Sequence, residues 1–321
     1  IMSSDWSSDV CSSDLVGQGF PPGAEQALRA RVDGVLERVD ERLSRYRRGS
    51  DLDRFNRART TEPREIPPAL AEVLAEALEI SRLTGGAYDV TVGPLVELWG
   101  FDEKRSLARA PSAARIAAVR ERVGYEKLVV DRASSSARKL HPELDVDLSS
   151  IAKGYGVDRL ALALEEDGHH NFMVEVGGEV RCRGESPRGG PWRVAVERPL
   201  EDRREIYEVV EMRDRAMATS GDYRSFYRLG DRRVSHTIDP RTGEPVSHRL
   251  ASVTVVDERC VRADGLATAI SVLGPEAGLA LAEELDLAAL LLVREKGGAL
   301  AESRTGAFDA LAGGAGRGRG R

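Results

Sequence analysis

From Glu25 to about Tyr46 the apolar residues Leu28, Val32, Val35, Leu36, Val39 and Leu43 recur every three or four positions. That spacing predicts an amphipathic helix with one buried stripe. Ser50-Asp51 then caps a short turn. A second helix is predicted over Pro67–Leu83, opened by a Pro-Pro pair and closed by Gly85-Gly86. A third covers Ala113–Val123, and Lys127–Val130 reads as a short strand. Val146–Leu148 reads as a strand end, and Ser149–Glu166 as a helix capped by serine. Short strands follow at Phe172–Val176, Glu179–Cys182, Trp192–Glu197, Ile206–Val210, Ala216–Thr219, Ser225–Leu229 and Ala251–Val256. Helices over Val261–Leu273 and Glu276–Leu285 and a strand over Ala288–Val293 complete the pattern. There is no linker, fixed-period repeat or coiled-coil heptad. The expected class is α+β, a mostly antiparallel sheet with packed helices in one compact unit.

Composition changes this picture mainly by exclusion. A net charge of −6 and a pI near 5.6 argue against a protein that coats nucleic acid. No run of eighteen apolar residues is present, so no membrane span is expected. Cys11, Cys182 and Cys260 lack CxxC spacing, which removes a disulfide scaffold and a thiolate zinc site. Only five of 47 basic residues are lysines: Lys104, Lys127, Lys139, Lys153 and Lys296. Residues 1–15, IMSSDWSSDVCSSDL, repeat Ser-Ser-Asp three times and have none of the parts of a signal peptide. They read as an adapter-like, non-native segment or a disordered Ser/Asp tail, and are set apart from the fold. The folded domain is then 16–312, with a Gly/Arg-rich tail over 313–321.

Three stretches carry candidate chemistry. In DLSSIAKGYGVD, Asp147 precedes a turn and Ser149-Ser150 precede a helix whose free N–H groups suit an anion. Lys153 sits in the first turn, where a cation opposes the helix dipole, so a nearby phosphate would explain it. A capped core helix with a solvated lysine explains it equally well. There is no Walker A and no GxGxxG opening a helix. In ADGLATA, Asp264 and Thr268 share one helical face and pair a carboxylate with a hydroxyl, suited to Mg²⁺. An Asp near a helix start is also a common cap. In HTIDPRTGEP, His236 precedes a strong turn and is either a general base or a structural hydrogen-bonder. Gly177-Gly178 and Ser220-Gly221-Asp222 either let backbone approach a ligand or form ordinary turns. TGGAYDVTVGPLVELWGF forms a cofactor wall or a buried loop.

Together and in order, these segments, with SRYRRGSDLDRFN, VEVGGEVRCRG and ATSGDYR, resemble the ApbE family, the FAD:protein FMN transferases, from about Val32 to Leu311. The resemblance implies Mg²⁺-dependent transfer of the FMN half of FAD to a threonine hydroxyl of an acceptor flavoprotein, releasing AMP. It also implies that Tyr46, Ala87, Tyr88, Asp89, Asp147, Lys153 and Ile238 bind FAD. The Ser150 backbone carbonyl and the Asp264 and Thr268 side chains would ligate Mg²⁺, with His236 near the pyrophosphate. The base is either His236 or Asp264. Family members usually begin with a strand carrying Met-Gly-Thr behind an export signal or lipoprotein cysteine. That implies a periplasmic, exported or inner-membrane-anchored protein, with the cytoplasm still open. Here the family-like sequence starts near the first helix, so poor folding or weak FAD binding is expected. The competing functions are a Mg²⁺-dependent FAD pyrophosphatase and a non-enzymatic FAD-binding protein.

Overall fold

The computed structural model describes residues 2–6, 11–17, 25–101, 107–222, 225–230, 232–295 and 297–312. The Gly/Arg tail at 313–321 lies outside them. Two stretches buried at nearly every position, Leu250–Asp257 and Ala288–Arg294, pair antiparallel inside the main sheet. Such sequences belong to strands covered on both faces, and alternate side chains go to opposite cores. Val253, Val255, Ala289 and Leu291 pack beneath helices, whereas Val256, Ala288, Leu290 and Leu292 face the other way.

Among the described residues that sheet has eight strands, each antiparallel to its neighbours. Its order is Met2–Trp6, Cys11–Gly17, Phe172–Val176, Glu179–Arg183, Ala216–Gly221, Leu250–Asp257, Ala288–Arg294 and Leu300–Arg304. The helix Cys260–Leu273 crosses one face, flanked by Ala152–Glu166 and Pro68–Leu83, with Glu25–Leu43 packed against those two. The hairpin Trp192–Glu197/Ile206–Met212 and the helix Gly306–Ala312, through buried Phe308, cover the other face. The mixed, mostly antiparallel class is as expected. The first two strands are not: a segment set apart on composition joins the sheet edge beside Phe172–Val176. A ladder is made by backbone groups, so repetitive Ser and Asp do not prevent it. No helix among the described residues is long and apolar enough to cross a membrane.

The two helices nearest the candidate chemistry cross closely. A Cβ on Gly154 would lie 2.5 Å from the Cys260 carbonyl oxygen and 2.8 Å from the Asp264 Cβ. Each helix also caps the other. The Asp264 carboxylate accepts the Gly154 N–H at 2.9 Å, and Asp158 accepts the Cys260 and Val261 N–H groups at 3.0 and 2.9 Å. These are amides that a helix start leaves unpaired. The serine cap expected at Ser149-Ser150 is absent. The helix begins at Ala152 with no side-chain cap of its own, because both serines are engaged elsewhere.

The segment before that helix, expected as a strand end over Val146–Leu148, is neither helix nor strand. Its sheet-like partner is a side chain: Asn56 Nδ2 donates to the Val146 carbonyl at 2.8 Å, and Asn56 Oδ1 accepts the Val146 N–H at 2.9 Å. Buried Lys139 donates to the Asn56 and Leu144 carbonyls, and burial pushes its ammonium down to about 8. Asn56→Ala should therefore leave two buried backbone groups unpaired and cost about 2–4 kcal/mol. Urea denaturation checks this; a loss within 0.5 kcal/mol, roughly the scatter of a neutral surface change, contradicts it.

Candidate active site

A cavity of about 420 Å³ opens where the two capped helices meet the ends of the sheet. Its wall includes Tyr46, Ala87, Tyr88, Asp89, Asp147, Ser150, Lys153, His236, Ile238, Asp264 and Thr268. Every residue that the family resemblance assigns to FAD or the metal therefore lines one space, as do Ser220 and Gly221, whereas Gly177, Gly178 and Asp222 are not part of its wall. Its size lies within the usual range for a ligand pocket.

Three elements build it. The first is the helix pair. Asp264 sits in the second turn of Cys260–Leu273, 5 % exposed, with Thr268 one turn on. It is a cap, as its position allows, but of the neighbouring helix. Burial pushes its carboxyl up, opposed by the Lys153 ammonium and the Gly154 N–H. Lys153, in the first turn of its helix, donates to Glu179 Oε1 at 2.6 Å.

The second element is the segment over Ala87–Val92 facing Asp147–Ser150. The Asp147 N–H donates to the Val90 carbonyl at 2.7 Å. Asp147 Oδ1 accepts the Ser149 N–H and hydroxyl, while Arg45 Nη1 donates to Oδ2 at 2.9 Å. Ser150 Oγ donates to the hydroxyl of fully buried Tyr88 at 3.1 Å. That leaves the Ser150 side chain as a wall brace, and burial holds the Tyr88 phenol protonated. Asp89 is spent on its own loop: it accepts the Thr91 N–H and hydroxyl and the Tyr125 N–H, all within 2.8 Å. Tyr46, 69 % exposed, forms the rim, with the Arg45 guanidinium 5.7 Å from its ring centre.

The third element is a small hydrophobic module in which Leu95, Trp99, Ile116, Val234 and Ile238 pack together. It carries the Asp239–Gly243 turn, closed by the Gly243 N–H on the Asp239 carbonyl and pinned by Trp99 Nε1 on the Gly243 carbonyl. His236 lies just before this turn, its ring edge-on to Phe101. Its Nδ1–H donates to the Ser225 carbonyl at 3.0 Å, so Nε2 holds the lone pair. Burial lowers its pKa and keeps the imidazole neutral.

Sequence reasoning missed Glu179. It follows the Gly177-Gly178 turn, whose positive φ values of 59° and 99° suit the tight hairpin joining its two strands. The glycines are thus turn residues, and their consequence is to deliver a carboxylate, 2 % exposed, to the cavity wall. Strand alternation with Val180 and Cys182 would place it with Arg181 on the polar face, so the sequence signalled neither its burial nor its pairing with Lys153.

Beside His236, the side chains of Asp264 and Thr268 and nearby carbonyls offer oxygen donors where the two helices cross. No cluster of three or more His, Cys, Asp or Glu side chains that could hold a metal occurs among the described residues. This set fits a hard cation that takes its other ligands from water and substrate phosphate, as Mg²⁺ does.

The sequence is 44% identical over 273 residues to an FAD:protein FMN transferase of Vibrio cholerae, spanning 85% of this chain and 81% of that protein. A Haemophilus influenzae FAD:protein FMN transferase is 40% identical across 89% of this chain and 84% of its own. The fold superposes on the flavin transferase ApbE from Vibrio cholerae with a TM-score of 0.85 at 39% identity, covering 97% of this chain and 98% of that one. The apo flavinyl transferase ApbE of Pseudomonas stutzeri gives 0.86 at 39% identity, covering 97% and 96%. The ApbE family model matches residues 2–291, including the two leading strands, and the chain belongs to the ApbE family.

Proposed function

We propose that this protein transfers the FMN half of FAD to a threonine hydroxyl of an acceptor protein, in a Mg²⁺-dependent reaction that releases AMP. One observation carries the reading. A buried carboxylate with a hydroxyl one turn away, an ammonium at a helix start and a neutral histidine with a free Nε2 all line one cavity.

The Asp264 carboxylate, the Thr268 hydroxyl and the Ser150 carbonyl would hold the cation. When bound, it neutralises charge on the diphosphate and on the AMP leaving group. Phosphoryl transfer needs little covalent help, so the chain contributes position and field. Lys153 and the start of its helix supply positive potential for the diphosphate. Tyr46 at the rim and the Ala87–Asp89 wall give the flavin an aromatic and apolar surface. His236 Nε2 takes the proton of the acceptor hydroxyl as that oxygen bonds to the FMN phosphorus. The bond between this phosphorus and the bridging oxygen breaks, and AMP leaves with that oxygen.

The proton acceptor sets a pH dependence. Only neutral His236 accepts a proton, and burial depresses its folded pKa below the ordinary value of about 6.5. kcat/KM should stay level from pH 8 down to about 6.5 and fall only at lower pH, through the depressed pKa. His236→Gln should remove this acid limb and lower kcat by about a hundredfold or more. A profile unchanged by the substitution removes His236 as the base.

The test of the reading combines purified protein, FAD, Mg²⁺ and a protein or peptide with an Asp-Gly-x-Thr-Gly-Ala-Thr-like acceptor. Covalent flavin on the acceptor threonine, matched by AMP, supports it. AMP with free FMN and an unlabelled acceptor makes the protein a pyrophosphatase instead.

A further inference from the structure

Glu179 is costly where it stands. It is 2 % exposed, burial raises its carboxyl, and Oε2 has no hydrogen-bond partner among the described residues. A buried carboxylate with an unpaired oxygen works against the fold. Its other oxygen receives the Lys153 ammonium at 2.6 Å. Asp264 shares the cavity, and its carboxylate is tied to the backbone N–H of the very next residue, Gly154. Lys153 therefore pairs with one buried carboxylate and lines the same cavity as a second, whose oxygen is bonded to the adjacent backbone N–H and on which its positive charge acts. An ammonium paired directly with Asp264 would occupy the carboxylate on which a divalent cation depends.

We propose that Glu179 is a positioning residue, the counter-ion that holds Lys153 away from Asp264 and so leaves Asp264 free to take a divalent cation. This rests on the metal-dependent reading above, and it assigns a role that the transfer chemistry alone does not require. The arrangement divides labour between two carboxylates. Glu179 holds and aims the lysine, while Asp264 keeps its charge for the metal. The same ammonium stays at the start of its helix, where an incoming diphosphate meets it.

The test is a titration of the full chain with Mn²⁺ alone, following free Mn²⁺ by electron paramagnetic resonance, with thermal melting in parallel. Glu179→Gln should raise the Mn²⁺ Kd at least fivefold without lowering the melting temperature. Glu179→Asp, which keeps the charge, should stay within threefold of the wild type. Lys153→Met added to Glu179→Gln should bring Kd back to within twofold of the wild type, because the competing ammonium is gone. A purely structural Glu179 would not be rescued by removing its partner. An unchanged Kd in Glu179→Gln, or no recovery in the double variant, overturns the inference while leaving the transfer reading intact. If the wild-type chain holds no Mn²⁺ that Asp264→Asn releases, the metal reading itself fails, and the inference with it.

Discussion

Asp264→Asn should abolish FMN transfer, by at least about a thousandfold, roughly 4 kcal/mol of transition-state stabilisation, while leaving the protein folded. The two halves of this expectation come from one geometry. Asparagine has the same shape, and its amide oxygen can still accept the Gly154 N–H now accepted at 2.9 Å. The cap between the helices therefore survives. What disappears is a charge buried to 5 % exposure, which burial already disfavours. Stability should hold or rise, since removing a buried charge that burial disfavours relieves the fold. Activity should collapse, because the carboxylate assigned to the cation is gone. Single-turnover AMP release and a thermal melt on the same sample check both halves. Unchanged AMP release contradicts the role given to Asp264, and a lowered melting temperature contradicts its capping geometry.

The second large effect is expected at Gly154. Alanine normally gains close to 1 kcal/mol over glycine inside a helix. At this site the new Cβ would sit 2.5 Å from the Cys260 carbonyl oxygen and 2.8 Å from the Asp264 Cβ. Neither neighbour is the end of a flexible side chain, so the helices must separate. Overpacking of this kind costs about 1–3 kcal/mol and outweighs the helix propensity. Separation also carries Asp264 away from Lys153, and a displacement near 1 Å can cost about a hundredfold in rate. Gly156→Ala is the matched control. It lies in the same helix, but its Cβ would find nothing nearer than Leu36 Cδ2 at 3.7 Å. Gly156→Ala should be neutral or stabilising with full activity, whereas Gly154→Ala should lose both stability and activity. Equal behaviour of the two variants would show that the close crossing is unimportant.

Much of this was legible from residue order. The stripe of Leu28, Val32, Val35, Leu36, Val39 and Leu43 is buried as its spacing predicts, because a surface helix can hide only one face. The strands predicted over Ala251–Val256 and Ala288–Val293 are present and covered on both sides. Asp264 and Thr268 line the cavity together because four residues return a helix to the same face.

What was not legible depends on partners distant in sequence. Ser149 and Ser150 have the right chemistry and position for a cap, yet Asp147 and Tyr88 compete for them and win. Asp158 and Asp264 become each other's helix caps only when the two helices cross, 110 residues apart in the case of Gly154 and Asp264. Glu179 looks like an ordinary strand residue until its partner is known. The first two strands lacked any side-chain pattern and are placed by a free sheet edge.

The central claim is that this cavity moves FMN from FAD onto an acceptor threonine. It is tested most directly by quantifying AMP and acceptor-bound flavin in one reaction with FAD and Mg²⁺. One AMP for each flavin covalently attached to the acceptor is the predicted result, with both lost in Asp264→Asn. AMP released without flavin on the acceptor, or FAD that stays bound and intact with Mg²⁺ present, would contradict it.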